Sequence, residues 1–270
     1  MTRVLITGGA GYLGCVLCEH LLAAGYEVTV LDNLMFGAAG LMQFCANPRF
    51  NFVFGDARNE ATITPLIAKA DVLIPLAALV GAPLCDRDPL SARSINLEAV
   101  RLLNKLRSPS QLVVYPNTNS GYGTGAGTAF CTEETPLNPI SLYGTTKVQA
   151  EIELLQTPNV ITLRLATVFG TSPRMRLDLL VNHFTYAAAT DRYLVLFEKD
   201  FKRNYIHIRD VADAFLHCIA NSSRMTGRPY NAGLDDANLS KQELAEKIKQ
   251  HVPDFYIHYA AIGSDPDKRN

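Results

Sequence analysis

Thr7-Gly8-Gly9-Ala10-Gly11-Tyr12-Leu13-Gly14 limits what this chain can fold into more than any other stretch. The apolar run Val4-Leu5-Ile6 precedes it and reads as a buried strand, and residues 15–24 follow and read as a helix. A glycine turn between strand and helix is the setting of a dinucleotide-binding loop. Glycines let the backbone turn tightly and approach a pyrophosphate, whose charge then rests on free N–H groups at the helix start. The glycines fall at Gly8, Gly11 and Gly14, a GxxGxxG spacing rather than GxGxxG, and alone they would equally suit a packing turn. The next strand, residues 28–31, ends at Asp32. A carboxylate there accepts from both adenosine ribose hydroxyls and repels a 2′-phosphate, which selects NAD over NADP.

The same alternation continues. Residues 51–54, 71–74, 112–115 and 160–165 read as further strands, and 61–69, 91–107 and 140–156 as helices, with Pro65 marking a break or turn. A short helical segment is expected at 40–45. Strands alternating with helices imply parallel βαβ units covered on both faces. The expected fold class is α/β: a Rossmann-type doubly wound parallel sheet with a smaller C-terminal substrate-binding lobe. A NAD-binding domain is expected over 1–168, with the chain returning to it around 203–222. Segments 169–202 and 223–270 form the lobe. Within it, helices are expected at 179–189 and at 240–249, the latter opened by a Ser240/Glu243 capping box, with a short strand at 193–197; the returning segment is expected to carry a helix after Asp210 to Ile219. A flexible glycine-rich stretch runs to Thr128, and the polar ending Asp265–Asn270 leaves open whether the lobe is complete.

Lys+Arg 25 against Asp+Glu 26 in 270 residues gives no basic surface for nucleic acid or an anionic membrane. No apolar run reaches the ~18 residues of a membrane span, and no signal peptide precedes the first strand, so a cytoplasmic protein is expected. Six cysteines are present, at 15, 18, 45, 85, 131 and 218. Cys15 and Cys18 form a C-x-x-C, but inside the first helix and without a second pair, so packing of that helix on the sheet is preferred to metal or redox use. No metal site is expected.

Ligands in such sheets bind beyond the carboxyl ends of the strands. Asp32 and Asn33, then Asp56 and Ala57 after the third strand, Leu76-Ala77-Ala78 after the fourth and Thr118 after the fifth all stand there. Tyr143 and Lys147 are four residues apart and share a helix face. A tyrosine hydroxyl, with pKa ≈ 10, is a poor base at neutral pH. A nearby ammonium stabilises the phenolate, which can then take a proton from a substrate hydroxyl while the attached hydrogen leaves as hydride to a nicotinamide. Thr118 would add a hydrogen bond to the reacting oxygen. Alone, Y-x-x-x-K is also an ordinary surface pair; with the glycine loop, Asp32 and Thr118 in this order, the catalytic reading is preferred.

TGGAGYLG, Asp32, GDARN, LAAL, Asn96, NTNSGYG, YGTTK, RLATVFG and RNYIHIRDV come in an order and spacing that resembles the extended short-chain dehydrogenase/reductase family, the NAD-dependent sugar-nucleotide epimerases, dehydratases and dehydrogenases. The resemblance implies that Gly8, Gly11, Tyr12, Leu13, Gly14, Asp32, Asn33, Asp56, Ala57, Leu76, Ala77, Ala78, Asn96, Tyr143 and Lys147 contact NAD. It implies a catalytic set of Thr118, Tyr143 and Lys147, and an arginine, Arg203, that grips a nucleotide diphosphate. It also implies a homodimer through helices 91–107 and 143–156. Arg174 and Arg176 suit phosphate or a plain surface turn equally. Asn119 and Ser120 are candidates to orient sugar hydroxyls, and His207 reads as structural.

Departures from the family pattern narrow the chemistry. Dehydratases carry an Asp-Glu pair directly after the catalytic threonine, and decarboxylases a Glu; here Asn119 and Ser120 stand there, and neither titrates near neutral pH. Val80 stands where some members have a phosphate-contacting lysine, and Thr167 where an asparagine is usual. Oxidation at sugar carbon 4 remains. The strings LAALVGAPLC, YPNTNSGYG and TSPRMRLDLLVN are most similar to the branch that oxidises GDP-D-glycero-D-manno-heptose at carbon 4, in capsular polysaccharide biosynthesis. A GDP-heptose-like substrate is therefore expected. A sugar-nucleotide 4-epimerase is the alternative, and a non-catalytic NAD-binding regulator a more distant one.

Overall fold

The computed structural model describes residues 1–123 and 131–260. The glycine-rich stretch to Thr128 and the ending at 265–270, both discussed above, lie outside the described residues. Twelve strands are described: β1 (Arg3–Thr7), β2 (Glu27–Asp32), β3 (Phe50–Phe54), β4 (Val72–Pro75), β5 (Leu112–Thr118), β6 (Val160–Leu165), β7 (Thr167–Phe169), β8 (Tyr193–Leu196), β9 (Lys202–His207), β10 (Arg228–Ala232), β11 (Asn238–Ser240) and β12 (Tyr256–Tyr259). Between them run α1 (Tyr12–Ala23), α2 (Glu60–Ile67), α3 (Ala82–Arg87), α4 (Pro89–Arg93), α5 (Ala99–Leu106), α6 (Leu142–Leu155), α7 (Leu180–Thr190), α8 (Ile208–Ala220), α9 (Ser222–Met225) and α10 (Lys241–His251).

Seven strands pair in the order β10-β6-β5-β4-β1-β2-β3, and every pairing is parallel. Alternation along each strand supplies both faces with core. Val4 and Ile6 join α1 and α8 on one side, while Leu5 joins α2, α5 and α6 on the other. Cys15 and Cys18 are fully buried in the first of these layers, and burial pushes both thiols up, so they stay protonated and pack the helix on the sheet. The strand order reverses between β1 and β4, the point at which such sheets open a ligand crevice.

The lobe builds its own core from α7, α10, β8 and β12 around Phe184, Phe255 and Leu244. A three-stranded sheet, β11-β9-β7, links this core to the main body, and β12 and β8 pair as a parallel two-stranded ribbon. β10 adds a seventh strand to the main sheet, although it lies beyond the segment 203–222 expected to return there. Within that segment α8 packs on the main sheet, while β9 pairs with β7 and β11. The α10 capping box forms as its sequence suggests.

Two expected helices differ. α2 runs through Pro65, where the missing N–H falls on an exposed turn; Asn59 caps the start by accepting from Thr62 N–H. The helix expected over 91–107 is α4, a wide π-helical turn at Ser94–Glu98, and α5. The wide turn carries Asn96, whose side chain is drawn inward to hydrogen-bond the loop after β4. No helix among the described residues is long and apolar enough to cross a membrane.

Candidate active site

The loops after β1, β2, β4 and β5, the start of α6 and residues 174–183 of the lobe line one cleft of about 670 Å³. That is the size range of small-molecule sites. Gly8, Gly11, Tyr12, Leu13, Gly14, Asp32, Asn33, Asp56, Ala57, Leu76, Ala77, Ala78, Thr118, Asn119, Ser120, Tyr143, Lys147, Arg174, Arg176 and Arg203 all line it. Residues from eight separate stretches of sequence therefore meet in one place. Asn96 does not line the cleft. It is 1 % exposed and stands behind the β4 loop, where Oδ1 accepts from Leu79 N–H at 2.8 Å and Nδ2 donates to Leu79 C=O at 3.0 Å. In this structure its side chain supports the loop that faces the cleft.

The glycine end is made of closely packed backbone. Gly8 has φ +77°, and a Cβ there would come within 2.5 Å of the Ala77 backbone nitrogen. A Cβ on Gly14 would meet the Gly9 backbone at 2.5–2.7 Å. No side chain caps the start of α1, and its first turn carries no acidic residue. Helix-terminal amides are therefore left to an anion from outside the protein. Asp32 accepts from Ala10 N–H at 3.0 Å and from Leu34 N–H at 2.8 Å, one bond per oxygen. A carboxylate has about four acceptor positions, so capacity remains for a ribose. Bare helix amides, tight glycines and a half-used carboxylate fit a bound NAD.

The lobe closes on this end through hydrogen bonds. The Tyr12 hydroxyl donates to Gly170 C=O at 2.6 Å, and Ser172 Oγ donates to Tyr12 C=O at 2.7 Å. Asn182 accepts from Gly170 N–H and donates to Tyr12 Oη and to Arg176 C=O. The Arg174 guanidinium lies 4.5 Å from the centre of the Phe36 ring. Arg176 pairs with Asp178, whose carboxyl it holds below the usual range. His207 accepts from Arg209 N–H at the start of α8 and packs edge-on against Phe169. It takes the structural role expected of it.

At the far end, Thr118 ends β5, and its hydroxyl donates to Ser120 Oγ at 3.1 Å. Asn119, Ser120 and Asn117 surround it with neutral groups. Among the described residues three carboxylates line the cleft: Asp32 holds backbone amides, Asp56 pairs with Arg58 and Asp178 with Arg176. Tyr143 packs beside the small cluster of Leu79, Cys85 and Ala92. Lys147 is 4 % exposed, with Nζ 3.9 Å from the centre of the Tyr115 ring. Burial pushes its ammonium down to about 7, against the opposing pull of Glu151.

Sequence reasoning passed over the groups behind this end. Glu151 is buried and accepts from Asn117 Nδ2 at 2.7 Å, Thr162 Oγ1 at 2.9 Å and Arg164 Nε and Nη2 at 3.0 and 2.7 Å. Arg164 also donates to Tyr122 Oη and Glu133 C=O. The one available signal was Glu151 itself, a further helical turn beyond Lys147. Among the described residues no group of three or more His, Cys, Asp or Glu side chains could hold a metal.

Residues 4–233 match the NAD dependent epimerase/dehydratase family. The UDP-glucose 4-epimerase of Mycolicibacterium smegmatis is 31 % identical over 243 residues, covering 86 % of this chain and 77 % of the relative. Among solved structures, the UDP-glucose 4-epimerase of Thermotoga maritima superposes with TM-score 0.86 at 22 % identity, over 99 % of this chain and 88 % of the other. The dTDP-glucose 4,6-dehydratase of Bacillus anthracis, solved with NAD, gives 0.85 at 24 % identity, over 98 % and 86 %. These two carry the fold. The sequence match spans β1 to β10 and takes in every cleft residue named above, so this chain is an NAD-dependent enzyme and belongs to the NAD dependent epimerase/dehydratase family.

Proposed function

We propose that the enzyme oxidises a sugar nucleotide at carbon 4, with a GDP-heptose-like substrate and a 4-keto product. The observation that carries the reading is the far end of the cleft. Tyr143, Lys147 and Thr118 line it together, and the positions after Thr118 hold only an amide and a hydroxyl. An oxidation needs one base at the sugar hydroxyl. A dehydration needs a second acid–base pair, and each carboxylate lining the cleft is engaged elsewhere. The choice of sugar rests on the similarity of three strings to the heptose branch. All three contribute to this cleft, through residues 76–84, 116–120 and 174–180.

In this reading Tyr143, ionised to the phenolate, takes the proton of the 4-hydroxyl. Lys147 holds positive charge near that oxygen, and Thr118 orients the substrate hydroxyl. NAD, when bound, accepts the hydrogen and electron pair leaving carbon 4. Residues 1–168 hold the cofactor. Segment 169–202, backed by α10 and β12, closes on the sugar nucleotide, with Arg174, Arg176 and Arg203 facing its phosphates and Asn119 and Ser120 its hydroxyls. The protein acts in the cytoplasm as a homodimer packed through α5 and α6.

A 4-epimerase is the second reading, favoured by the 31 % identity to a UDP-glucose 4-epimerase. It uses the same base and differs in returning the hydrogen to the other face of carbon 4. Product mass after incubation with GDP-heptose and a panel of UDP-sugars separates the two. A product lighter by two hydrogens, formed with consumption of an oxidant, supports the dehydrogenase. An isomer of unchanged mass, with inverted carbon 4 by NMR, replaces it with the epimerase.

A further inference from the structure

On one face of α6, Tyr143, Lys147 and Glu151 follow each other at single-turn spacing: a base, a cation and an anion. The first two face the cleft, and the third lies deeper, against β5 and β6. We propose that Glu151 is a positioning residue for the reaction, its buried carboxylate steadying Thr118 through Asn117 and keeping Lys147 cationic. The inference rests on the catalytic set proposed above.

The mechanical arm is continuous. Asn117 Nδ2 donates to Glu151 Oε2 at 2.7 Å, and Asn117 Oδ1 accepts from Thr118 N–H at 2.8 Å. An amide that is bonded at both ends cannot flip without losing both bonds. The Thr118 peptide is thereby tied to α6, the helix that carries Tyr143 and Lys147. The carboxylate that anchors it has four donors from two strands, and is 1 % exposed.

The electrostatic arm follows from burial. An ammonium removed from water tends to lose its proton, and a nearby carboxylate opposes that loss. The charged and titratable groups around Lys147 are Tyr143 and Glu151 on its own helix and Tyr115 on β5, whose ring face receives Nζ. Arg164 on β6 lies beyond Glu151 and pairs with it through two N–H groups. The protonated side of Tyr115 is favoured by burial, so its ring offers a π face and no charge. Among these, Glu151 supplies the negative charge, and burial works against it. A salt bridge to Arg164 alone would join helix to sheet; the Asn117 link and the one-turn offset from Lys147 direct the same carboxylate at the reactive end.

The test is Glu151→Gln in the full chain, read in two ways. Lysines carrying ¹³C at Cε are followed by NMR against pH, with Lys147 assigned from Lys147→Arg. The Lys147 midpoint is expected to move down by about one pH unit in Glu151→Gln and to stay near its original position in Glu151→Asp. Turnover should fall about tenfold at neutral pH in Glu151→Gln, with the loss growing as pH rises. If Glu151→Gln does not fold, Glu151→Gln with Arg164→Met removes the carboxylate without stranding a guanidinium, and the same downward shift is expected. An unmoved Lys147 midpoint overturns the electrostatic arm, and a loss of turnover equal at every pH marks Glu151 as structural only. If Tyr143→Phe turned over normally, the chemistry would fail while the lysine titration still decided the role of Glu151.

Discussion

At the glycine end of the cleft, Gly8, Gly14 and Ala77 bring backbone against backbone, and the working groups are amides. At the tyrosine end three charged side chains are buried, Lys147 against the Tyr115 ring and Glu151 with Arg164 in a network with Asn117, Thr162 and Tyr122. One end works by leaving side chains out, the other by enclosing them. At Gly8 and Gly14 the glycine end therefore tolerates no added atom, since a methyl group has nowhere to go. The tyrosine end tolerates change of shape better than change of charge, because each buried ion depends on a partner.

The sharpest way to break the comparison is at Tyr143. Tyr143→Phe removes one oxygen and no volume to speak of, at a residue that packs on the α3–α4 cluster through its ring. Turnover should fall about a thousandfold, while melting temperature and NAD affinity stay near those of the parent. Steady-state rates alongside calorimetric titration with NAD check this. A variant that lost NAD binding to the same degree would mean the two ends are not separable.

Gly8→Ala attacks the other end and should do the reverse. The new methyl would meet Ala77 N at 2.5 Å and its Cα at 2.6 Å, at a residue with φ +77°. Strain and overpacking together should cost about 2–4 kcal/mol of stability. NAD affinity should drop at least about tenfold, because the β1 and β4 loops can no longer meet. Urea unfolding gives the first quantity, and titration with NAD the second. Retained affinity at full stability would show that the loop has slack that the close approach does not suggest.

The same contrast explains what could be read from the chain. Gly8 to Gly14 with Asp32, and Tyr143 with Lys147, are sets whose members lie close in sequence or at strand ends, and their spacing carries their meaning. The buried network has no such compactness. Arg164 is 13 residues from Glu151, and Asn117 is 34 away. From sequence alone Glu151 is one more charge on a helix. The inward hydrogen bonds of Asn96 to Leu79 were not legible, because a helical turn widened to the π form leaves no mark in hydropathy. β7 and β11 are short and pair with β9 across long intervals, so the sheet that joins lobe to body emerged only in three dimensions.

The smallest effect asked of this comparison is a slope. Burial pushes Lys147 down to about 7 in the folded protein, while an unfolded lysine stays near 10.4. Between those values the unfolded chain binds one more proton than the folded one, so this group makes stability rise with pH through the window. Cysteine thiols pushed up by burial begin to act in the opposite direction above about pH 9, which confines the clean reading to pH 7–9. Lys147→Met fills similar space without charge. Against it, the parent should gain about 1 kcal/mol per pH unit across that range, measured by urea unfolding without added NAD. No comparable slope should separate Gly8→Ala from the parent, since nothing that titrates is lost there. If Lys147→Met and the parent ran parallel from pH 7 to 9, Lys147 would be titrating outside that window. The tyrosine end would then keep its charge more firmly than burial alone permits.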